Sequence, residues 1–153
     1  MKISDEFIQR ISDNIATVFG VGYTAYAPGT MGSLFGLLIY MFLKDASVPV
    51  YAIFVVILFV VGTLVSDVME DIYDIKDPSF IIIDEVVGML ISMIAVPYSF
   101  SAAVVGFLLF RIVDISKVPP LNALERLHGG FGIMIDDAVG ALMVNIILQV
   151  IFR

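Results

Sequence analysis

The sequence predicts an all-α membrane protein with about five apolar helices and an N-terminal amphipathic helix. Hydrophobic residues make up 60% of the 153-residue chain and mean hydropathy is +1.05, whereas a soluble domain has roughly 45–50% apolar residues. Only 15% of the residues are charged. The length is that of one domain and no repeat divides it, so residues 1–153 are interpreted as a single membrane domain.

Composition excludes several functions. The chain has no cysteine, which excludes disulfides, thiolate metal ligands and cysteine-phosphatase chemistry. The net charge of −7 argues against nucleic acid as a partner, because a surface that follows phosphates needs clustered Lys and Arg. The acidic surplus fits either solvated loops or carboxylates gathered around a divalent cation. The N-terminus lacks the pattern of a cleavable signal peptide.

The N-terminal residues 1–17 have helical periodicity with polar residues on the opposite face. This amphipathic helix is expected to lie on the membrane or against the other helices, in a structural role. Its apolar face carries Ile3, Phe7, Ile8, Ile11, Ile15 and Val18.

Five apolar runs follow, at about 30–43, 46–66, 80–96, 99–113 and 138–152. A helix needs about 20 residues to cross a bilayer, so the second run spans comfortably. Several of the others are short and are interpreted as tilted or re-entrant. The polar segment 67–77 between the second and third runs is interpreted as mostly solvated charge.

The distribution of cations predicts the orientation. With five crossings, the polar stretches 20–33, 67–85 and 111–137 all fall on one side of the membrane, and Lys44 and Arg153 fall on the other. The positive-inside rule then places the polar side in the cytoplasm. Its cations are Lys2, Arg10, Lys76, Arg111, Lys117 and Arg126.

Two acidic pairs indicate a metal site. Asp84 and Glu85 lie just inside an apolar run, where carboxylates are costly unless they meet a metal or a basic partner. Asp136 and Asp137 directly precede the last apolar run. Favourable interaction with a helix dipole explains one of these two aspartates. Because both occur together and a second acidic pair is present, a divalent cation site is favoured. Oxygen ligands without cysteine or clustered histidine suit Mg²⁺ or Mn²⁺.

Other polar residues leave two interpretations open. Arg111, Asp114 and Lys117 recur at helical spacing of three, either as an interfacial ion-pair ladder or as a metal ligand flanked by phosphate-binding cations. The Gly-rich stretch with Thr30 and Ser33 is either a loop and helix cap or a phosphate site at a helix N-terminus. The lone His128 is either a structural hydrogen bonder or the proton donor to a leaving group.

Together these residues favour metal-assisted phosphoryl chemistry on a lipid head group. At this point three blocks of sequence resemble the phosphatidylglycerophosphatase A family, over a region from about Phe19 to Ile147. The first block is 20–34, the second is 77–88 with Asp-Pro and Asp-Glu-Val-Val-Gly, and the third is 110–137 with His-Gly-Gly-Phe-Gly-Ile-Met before the aspartate pair.

The resemblance implies Mg²⁺-dependent hydrolysis of phosphatidylglycerophosphate to phosphatidylglycerol at the bacterial inner membrane, by a multihelical protein. It implies metal and catalytic roles for Asp84, Glu85, Asp114, Asp136 and Asp137. Candidate substrate contacts are Thr30, Ser33, Arg111, Lys117 and His128. Whether a carboxylate or water attacks phosphorus stays open, as do metal number, oligomeric state and acyl-chain preference; no obligate protein partner is predicted.

Competing functions fit less well. A CDP-alcohol phosphotransferase needs a long Asp-Gly motif that is missing, and the common membrane lipid phosphatases need several histidines where this chain has one. A small transporter or channel subunit with ion-coupling carboxylates is the alternative from another class. It predicts carboxylates near the bilayer midplane, whereas here they lie at helix ends.

Overall fold

The computed structural model describes residues 3–124 and 126–153, and within these ranges it has seven α-helices, one short 3-10 helix (Val21–Tyr23) and no strand. The all-α prediction is confirmed; Lys2, counted above for orientation, lies outside the described residues. The α-helices are α1 (Ile3–Ala16), α2 (Pro28–Leu43), α3 (Val48–Tyr73), α4 (Ile83–Ser92), α5 (Phe100–Ser116), α6 (Leu121–Leu124) and α7 (Gly129–Phe152).

Helix α4 is the centre of the fold. All of its ten residues except Glu85 are buried, and α2, α3, α5 and α7 pack around it. At 1.5 Å per residue it is about 15 Å long, roughly half the thickness of the hydrocarbon core. The crossing predicted at 80–96 is therefore not confirmed: that run is apolar because protein surrounds it, not because lipid does.

Two helices, α3 and α7, are long and apolar enough to cross a membrane. Only 22% of the most apolar stretch of α3 is buried, and its Ile53 and Leu64 are 60% and 63% exposed. Outward-facing apolar surface of this extent indicates contact with lipid or a partner. Helix α2 is apolar but has 16 residues. Within the described residues there are two candidate spans, so the five predicted crossings are not confirmed.

The end of α3 and the start of α7 differ from the prediction, because both helices extend into stretches predicted to be polar loops. Helix α3 continues through part of the segment predicted to be a solvated loop and ends at Tyr73, and α7 begins at Gly129 rather than at 138. The two helices stabilise each other's ends, since Gly130 N donates to Asp67 Oδ1 at 3.0 Å. A Cβ on Gly130 would lie 1.9 Å from Thr63 O, so glycine permits this close approach.

Helix α1 packs against α3, with Ser12 and Ala16 buried. Its outer edge keeps Phe7, Ile8 and Ile11 exposed at 64%, 51% and 41%. The predicted amphipathic helix is confirmed, and one of its edges leaves apolar surface available to a bilayer or a partner.

Candidate active site

A cavity of about 280 Å³ lies where α2 and α4 begin, α5 ends and the first half of α7 passes. The N-terminal turn of α2 contributes Ala27, Pro28 and Gly29 to its wall. Four separate helices thus bring polar groups from distant parts of the chain to one place. The ionisable residues that line it are Asp77, Asp84, Glu85, Arg111, Asp114, Lys117, Asp136 and Asp137.

Three carboxylates in this cavity are arranged to hold a cation. One oxygen from each of Asp84, Glu85 and Asp137 lies within 4.8 Å of the other two. Each residue also has a buried oxygen without a hydrogen-bond partner in the described part of the chain, namely Asp84 Oδ1, Glu85 Oε2 and Asp137 Oδ2. Buried unpartnered polar atoms are costly, and a set of hard carboxylate oxygens is what Mg²⁺ prefers. The residues therefore fit a divalent cation.

The other two predicted carboxylates contact basic side chains instead. Asp114 Oδ2 accepts from Arg111 Nη1 at 2.5 Å, and its Oδ1 lies 3.2 Å from Lys117 Nζ. Lys117 Nζ also donates to Asp136 Oδ2 at 2.6 Å and lies 3.7 Å from Asp137. The predicted spacing of three thus produces a ladder of ion pairs that lines the cavity, and the metal and phosphate roles of these residues stay predictions.

Negative charge dominates the cavity, with six carboxylates against two cations. Burial raises the pKa of Glu85 to about 8. Burial and then the charge of Glu85 raise the pKa of Asp84 well above its usual range. Burial lowers the pKa of Lys117, but the charges of Asp137, Asp136 and Asp114 outweigh that effect and raise it. This surplus of carboxylates repels a phosphate group, and a bound cation would reduce that repulsion.

The N-terminus of α2 approaches the carboxylates closely because residue 29 is glycine. A Cβ there would lie 2.1 Å from Glu85 Oε1 and 3.2 Å from Arg111 Nη1. Ser33, one turn later, is buried; its Oγ donates to Gly29 O at 3.0 Å and accepts from Arg111 Nη1 at 3.4 Å. A helix N-terminus favours anions, so this turn adds to the phosphate-binding character of the cavity.

Three predicted substrate contacts, Thr30, Ser33 and His128, do not line the cavity. Thr30 is half-buried on the first turn of α2 and does not line the cavity. His128 is exposed at the N-cap of α7 and does not line it either. Gly129 and Gly130, which follow His128, allow α7 to approach α3 closely.

Sequence reasoning from charge alone missed Asp77 and Ser79, which line the cavity from the connection between α3 and α4. Asp77 had been grouped with solvated charges, and it is indeed exposed. The signal that marks it is the Asp77-Pro78 pair, which belongs to the second block of the family resemblance.

Comparison with known proteins identifies the family of this chain. The family model of phosphatidylglycerophosphatase A matches residues 14–152. A Bacteroides thetaiotaomicron protein, provisionally named phosphatidylinositol-3-phosphatase, is 33% identical over 89% of this chain and 90% of its own. A protein named phosphatidylglycerophosphatase A from Haemophilus influenzae is 35% identical over 88% of this chain and 84% of its own. A protein of the same name from Escherichia coli is 32% identical over 84% of this chain and 76% of its own.

No solved structure matches the chain significantly. The family match covers α2 to α7 and therefore every residue that lines the acidic cavity. The chain belongs to the phosphatidylglycerophosphatase A family of phosphatases.

Proposed function

We propose that this chain is a Mg²⁺-dependent membrane phosphatase that converts phosphatidylglycerophosphate to phosphatidylglycerol and phosphate. One observation carries the proposal: three clustered carboxylates keep unpartnered buried oxygens beside two cations and a helix N-terminus, in a cavity of about 280 Å³. Mg²⁺ binding at phosphoryl-transfer sites uses one or more carboxylates together with substrate oxygens.

Asp84, Glu85 and Asp137 would hold the cation, which when bound neutralises phosphate charge and activates water. The protein's own groups supply the rest of the binding. Arg111 has a buried Nε without a partner among the described residues, so it retains a donor for a phosphate oxygen. Lys117 offers a second positive charge on the same side of the cavity.

Asp114 and Asp136 have a different role in this proposal. They contact Arg111 and Lys117 at 2.5 and 2.6 Å and so fix where these two flexible side chains point. Preorganised donors stabilise charge that develops on the transferring phosphoryl group without reorganising during the reaction. Loss of either carboxylate would leave the adjacent cation less well oriented.

In the reaction, the oxygen of water bonds to phosphorus while the bond from phosphorus to the glycerol oxygen breaks. The glycerol oxygen takes up a proton and leaves with the lipid, and inorganic phosphate remains. The substrates in the names of the relatives are all phospholipids with a phosphomonoester on the head group. They differ in the alcohol that carries this phosphate, which is inositol in one name and glycerol in the other two. Glycerol is proposed here because the family model and two of the three relatives carry that name.

The proposal also places the cavity at the cytoplasmic face of a bacterial inner membrane. In support, the cavity side of the protein carries most of the basic residues, whereas Lys44 and Arg153 line a separate cavity of about 330 Å³ with the start of α3 and the end of α7. This distribution follows the positive-inside rule.

Purified protein in neutral detergent provides the test. Phosphate release would be measured from phosphatidylglycerophosphate and from a phosphatidylinositol phosphate, with Mg²⁺ and then with EDTA. We expect release from the glycerol lipid that EDTA removes and added Mg²⁺ restores. Preference for the inositol lipid would change the proposed alcohol. Absence of release from both lipids, in protein that Mg²⁺ stabilises, would contradict a phosphatase and favour the ion-transport alternative.

A further inference from the structure

An open cleft of about 490 Å³ adjoins the active-site cavity, and its lining residues are Lys76, Asp77, Asn122 and Arg126. Asp77 lines both spaces, so they share a wall. Lys76 and Asp77 come from the connection between α3 and α4, Asn122 from α6, and Arg126 from the turn after it. We call this space the Lys76–Arg126 cleft.

The cations of the cleft differ from those of the cavity. Lys76 and Arg126 are exposed, and neither forms an ion pair with any residue in the ranges 3–124 and 126–153. Arg111 and Lys117, by contrast, each contact carboxylates of the cavity. Two cations against the single carboxylate of Asp77 make the cleft attractive to an anion that arrives from outside.

We propose that the Lys76–Arg126 cleft binds the phosphodiester of the lipid substrate while the terminal phosphomonoester lies in the active-site cavity. This inference rests on the proposed function. The substrate contains two phosphates joined through a short alcohol: the outer one is hydrolysed, and the inner one connects the alcohol to diacylglycerol. Two adjoining spaces, each with two basic side chains, match this pair of phosphates.

The residue types fit a phosphodiester. Arg and Lys bind phosphate oxygens through charge-assisted hydrogen bonds, and the amide of Asn122 adds a neutral donor. A phosphodiester carries one negative charge, less than a phosphomonoester, so it does not need the divalent cation that the acidic cavity requires.

The cleft would therefore favour lipids over soluble phosphate esters. A soluble monoester such as glycerol 3-phosphate can occupy only the cavity, whereas the phospholipid gains the second contact. Binding energy from this remote group lowers KM without changing the chemical step if it is equal in the ground and transition states.

The test uses the double variant Lys76→Gln/Arg126→Gln in neutral detergent micelles. We expect its KM for phosphatidylglycerophosphate to rise about tenfold or more with kcat changed less than about twofold. Kinetic constants for glycerol 3-phosphate should stay at wild-type values. The matched control is Arg10→Gln/Lys44→Gln, which removes the same charge from exposed positions outside the cleft and should keep wild-type KM for both substrates.

Inhibition by phosphatidylglycerol gives a second readout, which also applies if glycerol 3-phosphate is hydrolysed too slowly to measure. This product keeps the phosphodiester and lacks the monoester, so its competitive inhibition constant should rise in the cleft variant and not in the control. Equal losses for lipid and soluble substrates, an unchanged inhibition constant, or the same KM shift in the control would overturn the inference. If the wild-type protein prefers the inositol lipid, the proposal of glycerol as the alcohol is wrong, but the inference about the cleft can still be tested. That lipid has the same phosphodiester, so the KM of the cleft variant is then compared with that of wild-type protein on the inositol lipid.

Discussion

Neutralising Asp84 is predicted to stabilise the protein while it abolishes catalysis. Its carboxylate lies in a cluster in which the potential ligand oxygens are all within 4.8 Å of one another. At an effective dielectric constant of about 20, two unit charges at that distance repel by about 3.5 kcal/mol. Burial raises the pKa values of Asp84 and Glu85, so this repulsion is an upper limit. Asp84→Asn is therefore expected to raise the unfolding free energy in EDTA by on the order of 1–3 kcal/mol.

The assay is thermal unfolding in detergent, followed by far-ultraviolet circular dichroism because the chain has no tryptophan or cysteine for the usual dye and fluorescence methods. In EDTA the variant should unfold at a higher temperature than the wild-type protein. Added Mg²⁺ should raise the unfolding temperature of the wild-type protein, since a ligand that binds only the folded state stabilises it, and leave the variant unchanged. Phosphate release should fall at least a hundredfold.

Asp45→Asn is the matched control, because Asp45 is an exposed aspartate that does not line the cavity, and it should change none of the three quantities. A variant at position 84 that unfolds earlier than wild-type in EDTA and still responds to Mg²⁺ would refute a repulsive cation site. That result would instead assign Asp84 to the structural ion pairs of the cavity.

Three further substitutions distinguish residues that bind substrate or metal from residues that serve helix packing and from residues without a role in the reaction. Lys117→Met removes the partner of buried Asp136, so it should destabilise the protein by about 3–5 kcal/mol and abolish activity. Thermal unfolding and phosphate release measure these two effects. Gly29→Ala places a Cβ 2.1 Å from Glu85 Oε1 and should displace the Glu85 side chain. We expect activity to fall at least tenfold and Mg²⁺ to stabilise the variant less than the wild-type protein. The unfolding temperature in EDTA should be nearly unchanged. His128→Gln should keep kcat/KM within about twofold, because this exposed residue does not line the cavity.

Each of these expectations has an opposite outcome that is informative. A fully active Lys117→Met protein would remove that cation from phosphate binding. If Gly29→Ala lowers the unfolding temperature as strongly as Gly130→Ala, whose Cβ would lie 1.9 Å from Thr63 O, then residue 29 serves helix packing and not the site. A large loss of activity in His128→Gln would favour the proton-donor interpretation of this histidine over the structural one.

Local sequence determined the helical class and most of the charged residues of the candidate site. Apolar composition, helical periodicity near the N-terminus and the spacing of Arg111, Asp114 and Lys117 each depend on residues close in the chain, and the structure arranges them as expected. The motif blocks were sufficient to identify the family, because their order and residue types are specific even where no single block is.

Tertiary structure decided which apolar helices are buried within the protein and which carboxylates lie close together. Periodicity cannot distinguish a helix buried in protein from one surrounded by lipid, since both are apolar on all sides, and α4 was mistaken for a crossing for that reason. Asp84 and Asp137 meet only because α4 packs against α7, while Asp114 and Asp136 are drawn to cations on α5 and at its end. Such partners come from distant parts of the chain, so local spacing predicts the charged groups and the packing of helices selects their contacts.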